Sequence, residues 1–141
     1  MLVSEILKEK GGAVFSVAPD ITLAAVCGRL ESCRVGALMV CDKEQVVGVI
    51  SERDIVRSIA TDGAASLSRP VSDYMTRDVI FADPGESVAT VMGRMTDRRI
   101  RHLPVMKDGR LAGVISIGDV VKSRVAEATR DAESLRTYIA G

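Results

Sequence analysis

The chain has 141 residues, 47% of them apolar and only 3% aromatic, a composition that suits one ordinary domain or two small repeated halves with an aliphatic core. Nineteen basic residues balance nineteen acidic ones, so no overall charge draws the protein to nucleic acid or to an anionic membrane. No apolar run approaches the roughly 18 residues of a membrane-spanning helix, and the charged N-terminus is no secretory signal, so we expect a cytoplasmic protein.

The first half of the chain reads as alternating helices and strands. Apolar residues spaced i, i+3, i+4 and i+7 predict helices, and short β-branched runs predict strands. The stretch that follows this half, 61–69, is rich in small and hydroxyl residues and reads as a linker. The predicted elements are a helix at 4–10, a strand at 13–17, a helix that starts at Thr22, strands at 35–41 and 45–50, and a helix at 52–60.

The same order then starts again, because the sequence is internally duplicated. Residues 14–58 align without a gap on residues 79–123, and 16 of the 45 aligned pairs are identical. The best-preserved run is Gly48–Ser51, which repeats as Gly113–Ser116. Each half alone would have a thin core. We therefore predict an α/β module with pseudo-two-fold symmetry, made of repeats at 1–64 and 65–141.

These features resemble the CBS domain, and two such domains in tandem form a Bateman module. The resemblance covers about residues 3–139 and rests on two copies in register. Its carriers are the Pro19 and Pro84 turns, the strands 37–40 and 102–105, and the two segments that read Gly-Val-Ile-Ser-x-x-Asp. The fold that it implies is a pair of CBS repeats packed as a Bateman module, with no catalytic domain beside them.

The resemblance also implies a function. CBS pairs commonly bind adenine nucleotides in the clefts between their repeats, and they usually assemble as homodimers. We therefore expect a non-catalytic signal-transduction module whose ligand is an adenine nucleotide, AMP or NAD in the first place. A homodimer and an unidentified regulated protein are the partners implied. The alternative is a dimeric docking protein whose clefts hold no ligand.

The chemistry at the two repeated segments fits such a ligand. The end of a strand meets the start of a helix there, where free backbone amides and the helix dipole favour an anion. Asp54 and Asp119 can accept hydrogen bonds from the two vicinal hydroxyls of a ribose, and Ser51 and Ser116 can donate to ribose or phosphate oxygens. The same residues also suit a plain helix cap, which does not exclude ligand contact.

Basic residues at one of these segments provide phosphate partners. Arg101 and His102 end the densest basic run of the chain and lead into a predicted strand. The first repeat has Gly36 and Ala37 at the aligned positions, so we expect two unequal sites. Arg53, in the turn before the first-repeat helix, partly compensates.

An adenine base would need an apolar slot, and the predicted strand starts are its natural walls. The candidates are Val17 and Ala18 in the first half, and Ile80 and Phe81 in the second. The sequence favours a plain core role for each of them, with pocket lining as the alternative.

We find no signature of an enzyme or of a metal site. The chain contains neither a P-loop nor a GxGxxG segment, and its single histidine has no recognisable nucleophile motif beside it. Three cysteines without a CxxC pair predict neither a disulfide framework nor a bound metal. An enzyme of unknown type remains the weakest rival.

The C-terminal segment carries an apolar stripe with heptad spacing. Lysine, arginine and acidic residues fill the other faces of the predicted helix. Such a stripe packs against its own domain or against a second copy of the chain. Its members are Val121, Val125, Ala128, Ala132, Leu135 and Ile139.

Overall fold

The computed structural model describes residues 1–140 of the chain, without the side chain of Ala140, and shows a mixed α/β fold. Two short 3₁₀ helices, Gly63–Ser68 and Val71–Asp73, lie near the middle of the sequence. The remaining elements, in chain order, are α1 (Val3–Lys10), β1 (Ser16–Val17), α2 (Leu23–Cys33), β2 (Ala37–Asp42), β3 (Gln45–Ser51), α3 (Glu52–Asp62), α4 (Val88–Arg98), β4 (His102–Lys107), β5 (Arg110–Ser116) and α5 (Ile117–Ala140).

The chain divides into two compact units whose bounds differ from those of the predicted repeats. The middle unit comprises Ala13–Ile80, and the terminal unit combines Met1–Gly12 with the chain from Phe81 onward. Helix α1 therefore belongs to the same unit as the second β-hairpin. The bounds 1–64 and 65–141 stay a prediction about the sequence repeats.

Each unit is built around one antiparallel hairpin. Strands β2 and β3 pair from Ala37 opposite Ser51, and strands β4 and β5 pair in the same register from His102 opposite Ser116. Several apolar residues on these strands are buried, whereas others, such as Val49 and Val114, are only half-buried. In the middle unit the core joins Leu38 and Ile50 of the hairpin to residues of α2 and α3.

The strand predicted before each hairpin is shorter than expected. Strand β1 has two residues, which lie parallel to β2, and the amide of Met39 donates to the carbonyl of Phe15 at 3.3 Å. The residue that aligns with Met39 is Pro104, which has no amide hydrogen to donate. The terminal unit consequently keeps only a bridge between Ala82 and Val105 at 79–82, the stretch that aligns with residues 14–17 of the predicted strand.

Two glycines let a preceding segment pack directly on each hairpin. A Cβ atom on Gly113 would lie 2.6 Å from Cδ2 of Leu7, and one on Gly48 would lie 2.5 Å from Sδ of Met75. Leu7 belongs to α1, whereas Met75 follows the 3₁₀ helix at Val71–Asp73. The segment that precedes each repeat in sequence thus packs on the hairpin of the other repeat, inside one compact unit.

One further expectation is wrong, and one of the two alternatives left open for α5 is excluded. The stretch 61–69 is not a linker, because it forms the end of α3 and a 3₁₀ helix whose Ser66 is fully buried. The apolar stripe of α5 does not pack against its own unit, since Leu135 is 62% exposed and Ile139 is 81% exposed. The buried residues of α5 are instead Val120 and Ser123.

Within residues 1–140, none of the helices combines the length and the apolar character that crossing a bilayer requires. The same residues hold no cluster of three histidine, cysteine or carboxylate side chains with a metal-binding arrangement. Cys27, Cys33 and Cys41 are free thiols, and burial raises the pKa of Cys41.

Candidate functional site

Ser51 and Asp54 form the junction between β3 and α3 in the middle unit. Ser51 is the N-cap of α3, and its Oγ accepts the amide of Asp54 at 3.3 Å. In return, Oδ2 of Asp54 accepts the amide and the hydroxyl of Ser51, both at 3.0 Å. This reciprocal capping box fixes the carboxylate in the first helical turn, where the helix dipole favours a negative charge.

A segment from further along the chain completes this junction. The hydroxyl of Thr76 donates to Oδ1 of Asp54 at 3.4 Å, and the amide of Thr76 donates to the carbonyl of Val49 at 2.9 Å. Asp54 is therefore held by uncharged donors on both of its oxygens. Arg53, the proposed compensating base, is exposed beside it on the first turn of α3.

Ser116 and Asp119 form the equivalent junction between β5 and α5 in the terminal unit. The amide of Asp119 donates to Oγ of Ser116 at 3.2 Å, and the amide of Ser116 donates to Oδ2 of Asp119 at 2.9 Å. The hydrogen bonds of the backbone match as well. The amide of Ile117 donates to the carbonyl of Arg101, as the amide of Glu52 donates to that of Gly36.

Asp119 has a charged partner that the sequence did not indicate. Nζ of Lys10 lies 2.6 Å from Oδ2 of Asp119 and donates to the carbonyl of Val114 at 2.8 Å. Burial alone would raise the pKa of Asp119, but the hydrogen bonds from Lys10 and Ser116 outweigh it and lower that pKa. Asp119 is therefore ionised at neutral pH and paired with an ammonium.

Asp119 and Lys10 also line a cleft of about 460 Å³ inside the terminal unit. Ile6 and Ala126 supply apolar wall, and two more cations, Lys122 and Arg130, lie on the α5 side. A volume of this size is within the range of small-ligand sites. Sequence reasoning missed all these residues except Asp119, because a repeat alignment does not show that α1 packs beside α5.

Arg101 and His102, the predicted phosphate partners, lie near the second junction but not in the cleft. His102 lies opposite Ser116 in the β4–β5 register, and the carbonyl of Arg101 accepts the first amide of α5. Neither of them is among the described residues that line the cleft. The structure thus places Arg101 and His102 at the start of α5 and places a separate set of cations in the cleft.

The four proposed walls of a base pocket differ in exposure. Val17 is buried in the core of the middle unit, the role that the sequence favoured. Ala18 is exposed, Ile80 is half-buried and Phe81 is exposed. Contact between these residues and a base stays a prediction.

Comparison with known proteins gives a consistent result. The family model described as CBS domain matches residues 3–61 and again residues 71–126. The mitochondrial CBS domain-containing protein CBSX3 of Arabidopsis thaliana is 36% identical over 99% of this chain and 72% of its own length.

Solved structures agree with that match. The crystal structure of the CBS-domain containing protein ATU1752 from Agrobacterium tumefaciens superimposes with a TM-score of 0.87 at 42% identity, covering 88% of this chain and 99% of that one. The CBS domain pair of protein MJ0100, solved in complex with 5′-methylthioadenosine and S-adenosyl-L-methionine, has a TM-score of 0.78 at 25% identity. That match covers 90% of this chain and 98% of the MJ0100 chain.

Proposed function

Because this chain belongs to the CBS domain family, we propose that it is a regulatory module that binds adenine nucleotides and catalyses no reaction. AMP or NAD is the expected ligand, since the basic residues at the second junction suit a phosphate. The cytoplasm is the proposed location.

One observation carries this proposal, namely the strand-to-helix junction that occurs twice with a serine and an aspartate in the same hydrogen-bonded arrangement. Asp54 and Asp119 present a carboxylate in the first turn of a helix, whose dipole favours an anion, and this suits a molecule that carries both a vicinal diol and an anion. The two ligands in the MJ0100 structure are adenosine derivatives, which supports the choice of an adenine nucleotide.

The residues have separate proposed roles. Asp54 and Asp119 accept the ribose hydroxyls, while Ser51 and Ser116 donate to ribose or phosphate oxygens. Further contacts to the ligand come from the basic and apolar residues around the junctions. Arg53, Arg101 and His102 are proposed to contact phosphate, and Val17, Ala18, Ile80 and Phe81 to line the base pocket.

A thermal-shift panel tests the proposed function directly. A ligand present at 100 times its dissociation constant adds about 2.7 kcal/mol to the free energy of unfolding. For a chain of this size the melting temperature should rise by roughly 5–15 °C. The panel should contain AMP, ADP, ATP, NAD and S-adenosylmethionine, with inosine monophosphate as a control for the base. An unchanged melting temperature with all five adenine ligands would refute nucleotide binding and favour the docking alternative.

We also propose that the chain forms a homodimer through the apolar stripe of α5. All residues from Ala128 to Ile139 are exposed, and an unsupported helical segment of this length is marginal in water. In a parallel pair with the observed heptad, Asp131 of one copy lies opposite Arg136 of the other, so the flanking charges attract.

Light scattering tests the dimer. A particle of twice the 15.1 kDa chain mass at micromolar concentration is expected, and Leu135→Ser should lower it to the mass of one chain. Val56→Ser, which changes an apolar side chain that is 66% exposed on α3, is the control. A mass of 15.1 kDa for the unaltered chain, or no effect of Leu135→Ser, would contradict this interface.

A further inference from the structure

Lys10 contacts the β5–α5 junction of the terminal unit, although it lies far from this junction in sequence. It is the last residue of α1, and its Nζ bridges Oδ2 of Asp119 and the carbonyl of Val114. The side chains of Lys10 and Asp119 are 36% and 25% exposed, so solvent screens this ion pair only in part. The ammonium neutralises a carboxylate that would otherwise repel a phosphate group nearby.

The middle unit makes the corresponding contacts without a charge. Thr76 bonds to the carbonyl of Val49 and to Asp54, and these acceptors align with Val114 and Asp119. The two junctions therefore present the same pair of acceptors to different donors. One donor is an amide with a hydroxyl, and the other is an ammonium.

The surroundings of Lys10 extend the positive charge. Lys122 and Arg130 line the same cleft, and so does Met1, whose N-terminal ammonium is paired with Glu127. Among the described side chains that line the cleft, three are cationic and two, Glu9 and Asp119, are carboxylates, and this surplus favours an anionic ligand group. The long flexible stem of lysine lets its ammonium move between a carboxylate and a nearby phosphate.

We propose that Lys10 is a specificity-determining residue that makes the Asp119 site select phosphate-bearing nucleosides over uncharged nucleosides. The inference rests on the proposed nucleotide function and names the ligand class at one of its two sites. Ribose hydroxyls that bind Asp119 compete with the ammonium of Lys10. A phosphate gives the displaced ammonium a new partner, whereas an uncharged nucleoside does not. The Asp54 site, with Thr76 in this place, lacks that source of selectivity.

Titration of the full chain with AMP and with adenosine, followed by ¹H–¹⁵N NMR, tests the proposal. The amide of Gly118 lies next to Asp119 in sequence and reports its site, while the amide of Arg53 reports the Asp54 site. The quantity compared is the ratio of the dissociation constants for adenosine and AMP at each site. Lys10→Met should lower this ratio about tenfold at Gly118 and leave it unchanged at Arg53, as expected for the loss of one charged hydrogen bond.

Two control variants separate the charge of Lys10 from other effects. Lys8→Met removes an exposed lysine from the same helix and should leave both ratios unchanged. Lys10→Arg keeps the charge and should keep most of the selectivity. The shifts of amides away from both junctions verify that each variant is folded.

The outcomes distinguish this inference from the function on which it rests. If AMP binds but Lys10→Met leaves the ratio unchanged, or strengthens both ligands equally, selectivity by Lys10 is wrong and nucleotide binding stands. An equal drop in the ratio with Lys8→Met would also overturn it. If neither AMP nor adenosine shifts either amide, selectivity by Lys10 is wrong, and the thermal-shift panel decides separately whether another adenine nucleotide binds.

Discussion

Asp54 and Asp119 occupy aligned positions, begin aligned helices and accept aligned hydrogen bonds from serine, yet they have different partners. Thr76 donates a hydroxyl to Asp54, whereas Lys10 donates an ammonium to Asp119. The duplicated sequence accounts for what is common, because the same residues recur at the same spacing. The difference comes from the segments that precede the repeats, which lie outside the aligned stretches 14–58 and 79–123. The Asp54 and Asp119 sites thus share their geometry but differ in local charge, because their partner residues lie outside the repeated stretches.

The largest expected effect comes from removing either carboxylate. Asp54→Ala and Asp119→Ala should each weaken nucleotide binding roughly ten- to a hundredfold at one site, because a charged acceptor of ribose hydroxyls contributes about 1.5–3 kcal/mol. Both variants should remain folded, since a favourable charge at a helix N-terminus contributes only about 0.3–1 kcal/mol.

Calorimetric titration can check this comparison. Each variant should lose a different part of a two-site isotherm. Glu52→Ala, which removes an exposed carboxylate from the first turn of α3, serves as the control. If both aspartate variants bind as the unaltered chain does, the aspartates are helix-capping residues and the assigned sites are wrong.

The next largest effect concerns Gly48 and Gly113, the two glycines on which Met75 and Leu7 pack. Gly48→Ala should destabilise the protein by about 1–3 kcal/mol, because the new methyl group meets both Met75 and the carbonyl oxygen of Thr76. Gly113→Ala should cost less, since the three atoms nearest to its new methyl group all belong to the flexible side chain of Leu7 rather than to backbone. Urea unfolding measures both.

Two helical glycines provide the matched control. Gly28 and Gly93 have open space around the position of a Cβ atom, so alanine there should stabilise by about 0.5–1 kcal/mol. Equal costs for Gly48→Ala and Gly113→Ala would contradict the difference that we assign to the Thr76 backbone.

The strand-to-helix junctions, the mixed α/β fold and the two CBS repeats were predictable, and these predictions are confirmed. Lys10 could not be found in this way, because pairing it with Asp119 requires knowing on which hairpin α1 packs. The bridge at Ala82 could have been foreseen, since Pro104 visibly lacks the donor that Met39 provides. The packing of 63–68 could not, because small residues in a turn do not show that Ser66 is buried.

A smaller expected effect is a difference between the two units in how their stability depends on pH. The bonds from Arg94 hold the pKa of Glu86 below its ordinary value of 4.5, and the aligned residue in the middle unit is Ile21. A lowered folded-state pKa gives stability that is present above the unfolded value and is lost as pH falls through the folded value. The free energy of unfolding should therefore decrease as the pH falls below about 4.5.

Glu86→Gln should flatten this acid dependence, which urea midpoints at pH 7, 5, 4 and 3 would measure. Asp119 contributes in the same direction, because its pKa is also lowered. Glu31→Gln, an exposed change on α2, is the control. An acid dependence that stays as steep in Glu86→Gln as in the unaltered chain would show that the Arg94 pair does not contribute.

The smallest expected effect concerns the ends of α2 and α4, where substitutions in the two repeats should change stability equally. Arg34 and Arg99 end aligned helices in the left-handed region, each with φ of 54°. The residue after each arginine donates its amide five positions back, Val35 to Leu30 and Ile100 to Met95, which is the Schellman arrangement that glycine favours. Glycine at either position should relieve the crowded Cβ atom and stabilise the protein by about 0.5–1 kcal/mol. Matching gains in urea midpoint for Arg34→Gly and Arg99→Gly would indicate that the two repeats differ only in the segments that precede them and in the contacts of those segments. A gain in only one of them would mean that the helix ends of the two repeats also differ.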